Sequence, residues 1–281
     1  MTSPSFGSRL AALSGASRLC VGVDPHPTTL SEWGLRDDAE GLSTFSRAMV
    51  DAMVESGVSI TKPQVALFER HGVDGMRALA QFIGEARAHS LLVIADVKRG
   101  DIGTSLAGYA SAWLGPGSDF ESDAMTAVAY QGVGSLEPAF HLAADNGKGV
   151  FVLGATSNPE GWLVQSARTS EGDTVAHATV VGVAERSSRA PRSDGSWLGV
   201  VVGATVDRTQ LGLDDSDLSG LGILAPGFGA QGVELSSLHE VFGALSPQVI
   251  PSVSRSVSGS GAAGLVERLA RHQGEISDAR V

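Results

Sequence analysis

Eight short runs of apolar, largely β-branched residues recur along this chain, and their spacing narrows the folds open to it. They begin near Leu19 (Leu-Cys-Val-Gly-Val-Asp), Val58, Leu91 (Leu-Leu-Val-Ile-Ala-Asp), Asp123, Gly149 (Gly-Val-Phe-Val-Leu-Gly), Leu198 (Leu-Gly-Val-Val-Val-Gly), Gly222 and Gln248. Most are separated by about 25 to 40 residues, room enough for a helix that carries the chain from one parallel strand to the next. Between them, Ser43 to Ser56, Val73 to His89, Thr174 to Arg186 and Ala262 to His272 carry apolar residues at three- and four-residue spacing, as in a helix with one buried face. Eight strand and helix units predict an α/β fold of the (β/α)8 TIM-barrel type. At 281 residues and 42% hydrophobic content the chain reads as one domain over 1–281, with its core at about 19–272. The longest gap, between the fifth and sixth runs, holds Arg189-Ala-Pro-Arg-Ser-Asp-Gly-Ser196, which reads as an exposed, turn-rich excursion. The tail Gln273 to Val281 is expected to fray.

Composition excludes several roles. The single cysteine, Cys20, cannot form an intramolecular disulfide, and no Cys or His pair has the spacing of a structural zinc site. A reducing, cytoplasmic setting is expected. The N-terminus lacks a basic start followed by an apolar run, and no segment reaches the roughly 18 to 20 apolar residues of a membrane helix, so neither export nor a membrane partner is expected. A net charge of -11 repels polyanions and argues against a nucleic-acid partner.

The chemistry gathers where the runs end. The third finishes Asp96-Val-Lys98-Arg-Gly-Asp101. Residues two apart in an extended chain share a face, so Asp96 and Lys98 are expected side by side at the rim where a barrel delivers catalytic groups. A carboxylate there keeps the ammonium charged against the pull of burial, and Lys98 becomes a positioned proton donor. Asp101 supplies a second anion, to its own site or across a dimer interface. The bland alternative for this stretch is a solvated charged turn. Two further rim residues weigh against that alternative: Asp24 ends the first run and Lys62 ends the second. After the seventh run comes Ala225-Pro-Gly-Phe-Gly-Ala-Gln-Gly232, and after the eighth Pro251-Ser-Val-Ser-Arg-Ser256. Loops in those places often hold phosphate, through backbone N–H groups freed by glycine and a forked arginine, here Arg255.

Taken in order, Asp24, Lys62, Asp96-x-Lys98-x-x-Asp101, Thr156-Ser-Asn-Pro159, Pro226-Gly-Phe-Gly-Ala-Gln231 and Ser254-Arg255 resemble the motifs of the orotidine 5'-monophosphate decarboxylase family, in the wording of its longer bacterial subgroup. The match runs from about Leu19 to Val257. The resemblance implies a carboxy-lyase of pyrimidine biosynthesis that makes UMP from orotidine monophosphate, without cofactor or metal, as a homodimer with shared active sites. It implies an alternating charge network of Lys62, Asp96, Lys98 and the second subunit's Asp101, with Lys98 protonating C6. It further implies that Asp24 binds the ribose hydroxyls, Ser157 the pyrimidine edge, and Gln231 with Arg255 the 5'-phosphate. At Thr104-Ser105 relatives usually keep a threonine in the second position; the Ser105 hydroxyl can still bond phosphate or ribose. A barrel lyase of the same superfamily that uses Mg2+ is the nearest rival, and Lys62 and Ser157 argue against it. A nucleotide-binding barrel without catalysis is opposed by the intact Asp96 and Lys98 pair.

Overall fold

A computed structural model describes residues 4–189, 197–230 and 232–278 of the chain. The eight apolar runs form strands β1 (Cys20–Val23), β2 (Ile60–Pro63), β3 (Leu92–Arg99), β4 (Ala124–Ala127), β5 (Gly149–Ala155), β6 (Leu198–Val202), β7 (Gly222–Pro226) and β8 (Val249–Val253). Each pairs in parallel with the next, and β1 closes on β8 through Cys20 and Ser252. This is the expected (β/α)8 barrel. The helices named here are α1 (Phe6–Ala11), α2 (Ala39–Ser56), α3 (Gly72–Ala88), α4 (Gly103–Leu114), α5 (Glu137–Asp145), α6 (Val175–Arg189) and α7 (Leu265–Asp278).

Local chemistry sets the helix ends. α2 begins four residues before the expected Ser43 because Asp38 caps it: its side chain accepts from the Gly41 N–H at 2.9 Å. It stops at Gly57, whose φ of 74° is the left-handed turn that glycine takes without strain. Leu42, Phe45, Met49 and Met53 bury its inner face against the barrel. The expectation of a frayed tail is corrected as far as Asp278. α7 runs to that residue, with Leu269, His272 and Ile276 buried at three- and four-residue spacing and the His272 ring bonded to Glu275 at 2.9 Å. Of the expected excursion, only Arg189 is described, as the last residue of α6; the rest lies outside the described residues.

Inside the barrel, Cys20, Ile60, Ile94, Phe151, Leu224 and Ile250 form a packed core of their own. Its floor is closed by α1. Phe6 stands edge-on to Phe151 with centroids 5.9 Å apart, and a Cβ at Gly149 would come within 2.6 Å of the Phe6 ring, so that strand start has room for the ring only as glycine. Arg9 fastens the helix by donating to Asp123 Oδ1 at 2.9 Å, while Asp123 Oδ2 accepts the Val93 N–H at 2.8 Å. With the floor sealed, the opposite end, where the strands finish, is left to bind a ligand.

Candidate active site

Along the strands every second residue faces the barrel axis. Near the floor these residues are apolar: Cys20, Ile60, Ile94, Ala124 and Ile250. Two or four residues on, the same faces turn polar, with Asp24 after β1, Lys62 on β2 and Gln64 just after it, Asp96 on β3, Thr126 on β4, and Ser252 on β8 with Ser254 just after it. These groups line a cavity of about 700 Å³ at the strands' C-terminal end, within the range of small-molecule sites.

Asp96 is its electrostatic centre. Its Oδ2 takes Lys62 Nζ at 3.0 Å, Gln64 Nε2 at 3.0 Å and Lys98 Nζ at 2.7 Å, and its Oδ1 accepts from Thr126 Oγ1 at 2.9 Å. Gln64 clamps the pair from a second side, since its Oε1 accepts from Lys98 Nζ at 3.1 Å. Burial alone would drive Asp96 towards its neutral form, but the two ammonium groups, Lys62 first, outweigh it and hold the carboxyl below the usual carboxylate range. Burial likewise pulls Lys62 towards neutrality, and the Asp96 and Asp24 carboxylates more than reverse that, raising its pKa above the ordinary lysine value. Lys62 is therefore the buried cation, its side chain 10% exposed, whereas Lys98 at 42% reaches into the open part of the cavity. Beneath them, burial pushes the Cys20 thiol up to about 12, partly offset by Lys62, so this cysteine is a packing residue rather than a nucleophile.

Asp96 and Lys98 do meet, but not by the alternation expected of a straight strand. Ala95 pairs with Met125 and Arg99 with Ala127, so four steps along β3 are matched by two along β4. The surplus is taken up in a bulge where Lys98 adopts φ 48°. A non-glycine residue there costs about 1 to 2 kcal/mol. With the bulge in place the lysine ammonium lies 2.7 Å from Asp96 Oδ2. Thr126 Oγ1 takes the Lys98 N–H at 2.9 Å.

The remaining expected residues divide into three sets. Asp24, Ser157 and Arg255 line the cavity; Asp24 Oδ1 is buried without a hydrogen-bond partner among the described residues, and Arg255 is exposed at the rim. Asp101 and Ser105 are not part of the cavity lining. Asp101 accepts from the Ile102 N–H at 2.8 Å just before α4, and Ser105 is exposed in the first turn of that helix. Gln231 lies outside the described residues. The glycine-rich loop departs from expectation in one respect. Gly229 and Gly232 direct their N–H groups to Val233 O at 2.8 Å and Gly229 O at 2.9 Å, inside the loop, so those two are not offered to an anion. What Gly229 supplies instead is clearance at φ 73°, where a Cβ would lie 2.5 Å from Ser256 Oγ.

Sequence reasoning missed Gln64 and Thr126 as members of the network. A usable signal existed, since both fall on the inward period-two positions beyond Ile60 and Ala124 where neighbouring strands turn polar. The bulge that makes Thr126 matter to Lys98 left no such mark.

Comparison with known proteins gives the family of the whole chain. The model of the orotidine 5'-phosphate decarboxylase / HUMPS family matches residues 17–263. The chain belongs to this family. An orotidine 5'-phosphate decarboxylase of Salinispora tropica is 47% identical over 258 residues, covering 92% of this chain and 91% of the relative. A crystal structure of a Streptomyces avermitilis protein, provisionally named an orotidine 5'-phosphate decarboxylase, matches with a TM-score of 0.91 at 42% identity over 100% of this chain and 98% of that one. The OMP decarboxylase of Leishmania donovani matches with a TM-score of 0.74 at 25% identity over 97% and 96%. The resemblance read from the strand-end motifs is thus a family relationship spanning the whole barrel, and every residue lining the cavity falls inside the matched region of the decarboxylase family model.

Proposed function

We propose that the chain is an orotidine 5'-monophosphate decarboxylase, converting orotidine monophosphate to UMP and CO2 in de novo pyrimidine biosynthesis, with Lys98 as the proton donor. The observation that carries this reading is the Lys98 ammonium 2.7 Å from the Asp96 carboxylate, in a cavity lined by Asp24, Ser157 and Arg255. In the reaction the bond from C6 to the carboxylate breaks, CO2 leaves, and the electron pair remains on a ring carbon with no conjugated sink. A Lys98 N–H proton passes to C6, and the neutral amine regains a proton from water. Fixed charge suits this step, because an ammonium already held in position stabilises developing negative charge with little reorganisation.

The other roles follow from chemistry and position. The unpartnered Asp24 oxygen is an acceptor for ribose hydroxyls, Ser157 takes the pyrimidine edge, and Arg255 with Gln231 takes the 5'-phosphate. A grip on that remote group can be used to order the site around C6. Asp101 and Ser105 are assigned to the site of a second copy of this chain in a homodimer. Ile102, at 62% exposed, and Tyr109, at 38%, flank Ser105 with apolar surface such a copy would cover. Residues 1–281 are read as one domain, supported by the single closed sheet.

Two ammonium groups bracket the one central carboxylate, and among the described residues no group of three or more His, Cys, Asp or Glu side chains could hold a metal ion. The testing experiment is an ultraviolet assay of orotidine monophosphate depletion with and without a chelator. Turnover that survives the chelator is expected; turnover that needs added Mg2+ would favour a metal-dependent lyase, and no turnover would end the reading.

A further inference from the structure

We propose that the Thr126 hydroxyl is the positioning group that sets the geometry of Lys98, an inference that rests on the decarboxylase reading for what Lys98 does but not for where Lys98 sits. Between the Ala95–Met125 and Arg99–Ala127 pairs β3 carries more residues than β4 can match, and the main chain of Lys98 leaves the ladder at φ 48°. A backbone N–H released from a ladder needs another acceptor. Thr126 Oγ1 is that acceptor, 2.9 Å away, on a residue only 1% exposed.

The same oxygen donates its proton to Asp96 Oδ1 at 2.9 Å. A hydroxyl has one proton and two lone pairs, so it satisfies both bonds at once, and an ionised carboxylate fixes which way the proton points. Lys98 is thereby held at both ends. Its backbone is tied to Thr126, its ammonium meets Asp96 Oδ2 at 2.7 Å, and Thr126 links the two through the other carboxylate oxygen. Valine at this position keeps the shape and loses both bonds. Serine keeps both bonds and loses only a methyl group.

Decarboxylation kinetics, thermal unfolding and crystal structures of wild type, Thr126→Val and Thr126→Ser test the inference. Thr126→Val is expected to lower kcat on the order of 10²-fold, the scale of a catalytic group displaced by about an ångström. Its KM should change less than about threefold, because the interaction acts on the reacting centre rather than on ground-state binding. Thr126→Ser should recover most of kcat, and the Thr126→Val crystal should show Lys98 out of the left-handed region with its ammonium withdrawn from Asp96. Wild-type kcat in Thr126→Val, equal losses in the valine and serine variants, or an unmoved Lys98 would overturn the proposal. If Thr126→Val does not fold, Thr126→Ala against Thr126→Ser makes the same comparison with a difference of one oxygen atom. Absence of decarboxylation by the wild type would count against the functional reading alone, and the position of Lys98 in the variant crystals would still decide the role of Thr126.

Discussion

Three donors crowd one oxygen of Asp96 and a fourth holds the other, while the cations around it differ sharply in burial. That asymmetry divides the work. Lys62, sunk in the wall, keeps Asp96 ionised, and Lys98, reaching into the cavity, is free to meet a ligand. Removing one member of a buried ion pair typically costs about 3 to 5 kcal/mol because the other is left uncompensated, so Lys62 and Asp96 variants confound stability with chemistry. Arg255 offers a cleaner experiment, since it is exposed at the rim and outside the Asp96 network. Arg255→Ala is expected to weaken substrate binding by about 2 to 3 kcal/mol, the scale of a hydrogen-bonded charged partner, or roughly 30- to 150-fold in KM. A KM that does not move in steady-state assays would put the phosphate elsewhere. Charged rim residues such as Asp24, Lys62, Asp96, Lys98 and Arg255 were legible in the sequence because they recur at the ends of several strands at once, although a charged residue ending any one strand is unremarkable. Thr126 was not, since a threonine in a strand looks like any β-branched residue until its hydroxyl has partners.

At the scale of elements, β3 and α1 do the positioning. Strand alternation predicted that Asp96 and Lys98 would meet, and they do, but through a bulge that repetition in the sequence does not encode. The amphipathic spacing located α2, α3, α6 and α7, whose ends shifted wherever a cap such as Asp38 or a buried residue such as Ile276 outweighed the periodicity. α1 went unread because six residues are too few to show a period. It nevertheless plugs the barrel floor with Phe6, which is 2% exposed. Phe6→Ala is expected to lower the free energy of unfolding by about 3 to 5 kcal/mol, the usual loss for a buried aromatic ring. Urea unfolding would measure it. Because the floor is at the opposite end from the cavity, kcat and KM at 25 °C should stay near wild type in the folded fraction; a selective loss of kcat would mean the floor and the site are coupled.

For the whole molecule, a net charge of -11 surrounds a site built to take a phosphorylated anion, so attraction must be local, from Lys62, Lys98 and Arg255. The proposed dimer completes that site with Asp101 and Ser105 from a second copy. Subunit mixing tests this: in a Lys98→Ala and Asp101→Ala heterodimer one site carries both lesions and the other neither, so two inactive variants recombined at random in a two-fold dimer should regain about a quarter of wild-type activity. No recovery despite subunit exchange would return Asp101 to its own site. Lys98→Ala, assayed for orotidine monophosphate turnover alongside UMP binding by calorimetry, bears most directly on the proton donor. Turnover should fall by at least about 10²- to 10⁴-fold, the usual contribution of a positioned general acid, while UMP still binds. Turnover near the wild-type rate would show that C6 takes its proton from another group.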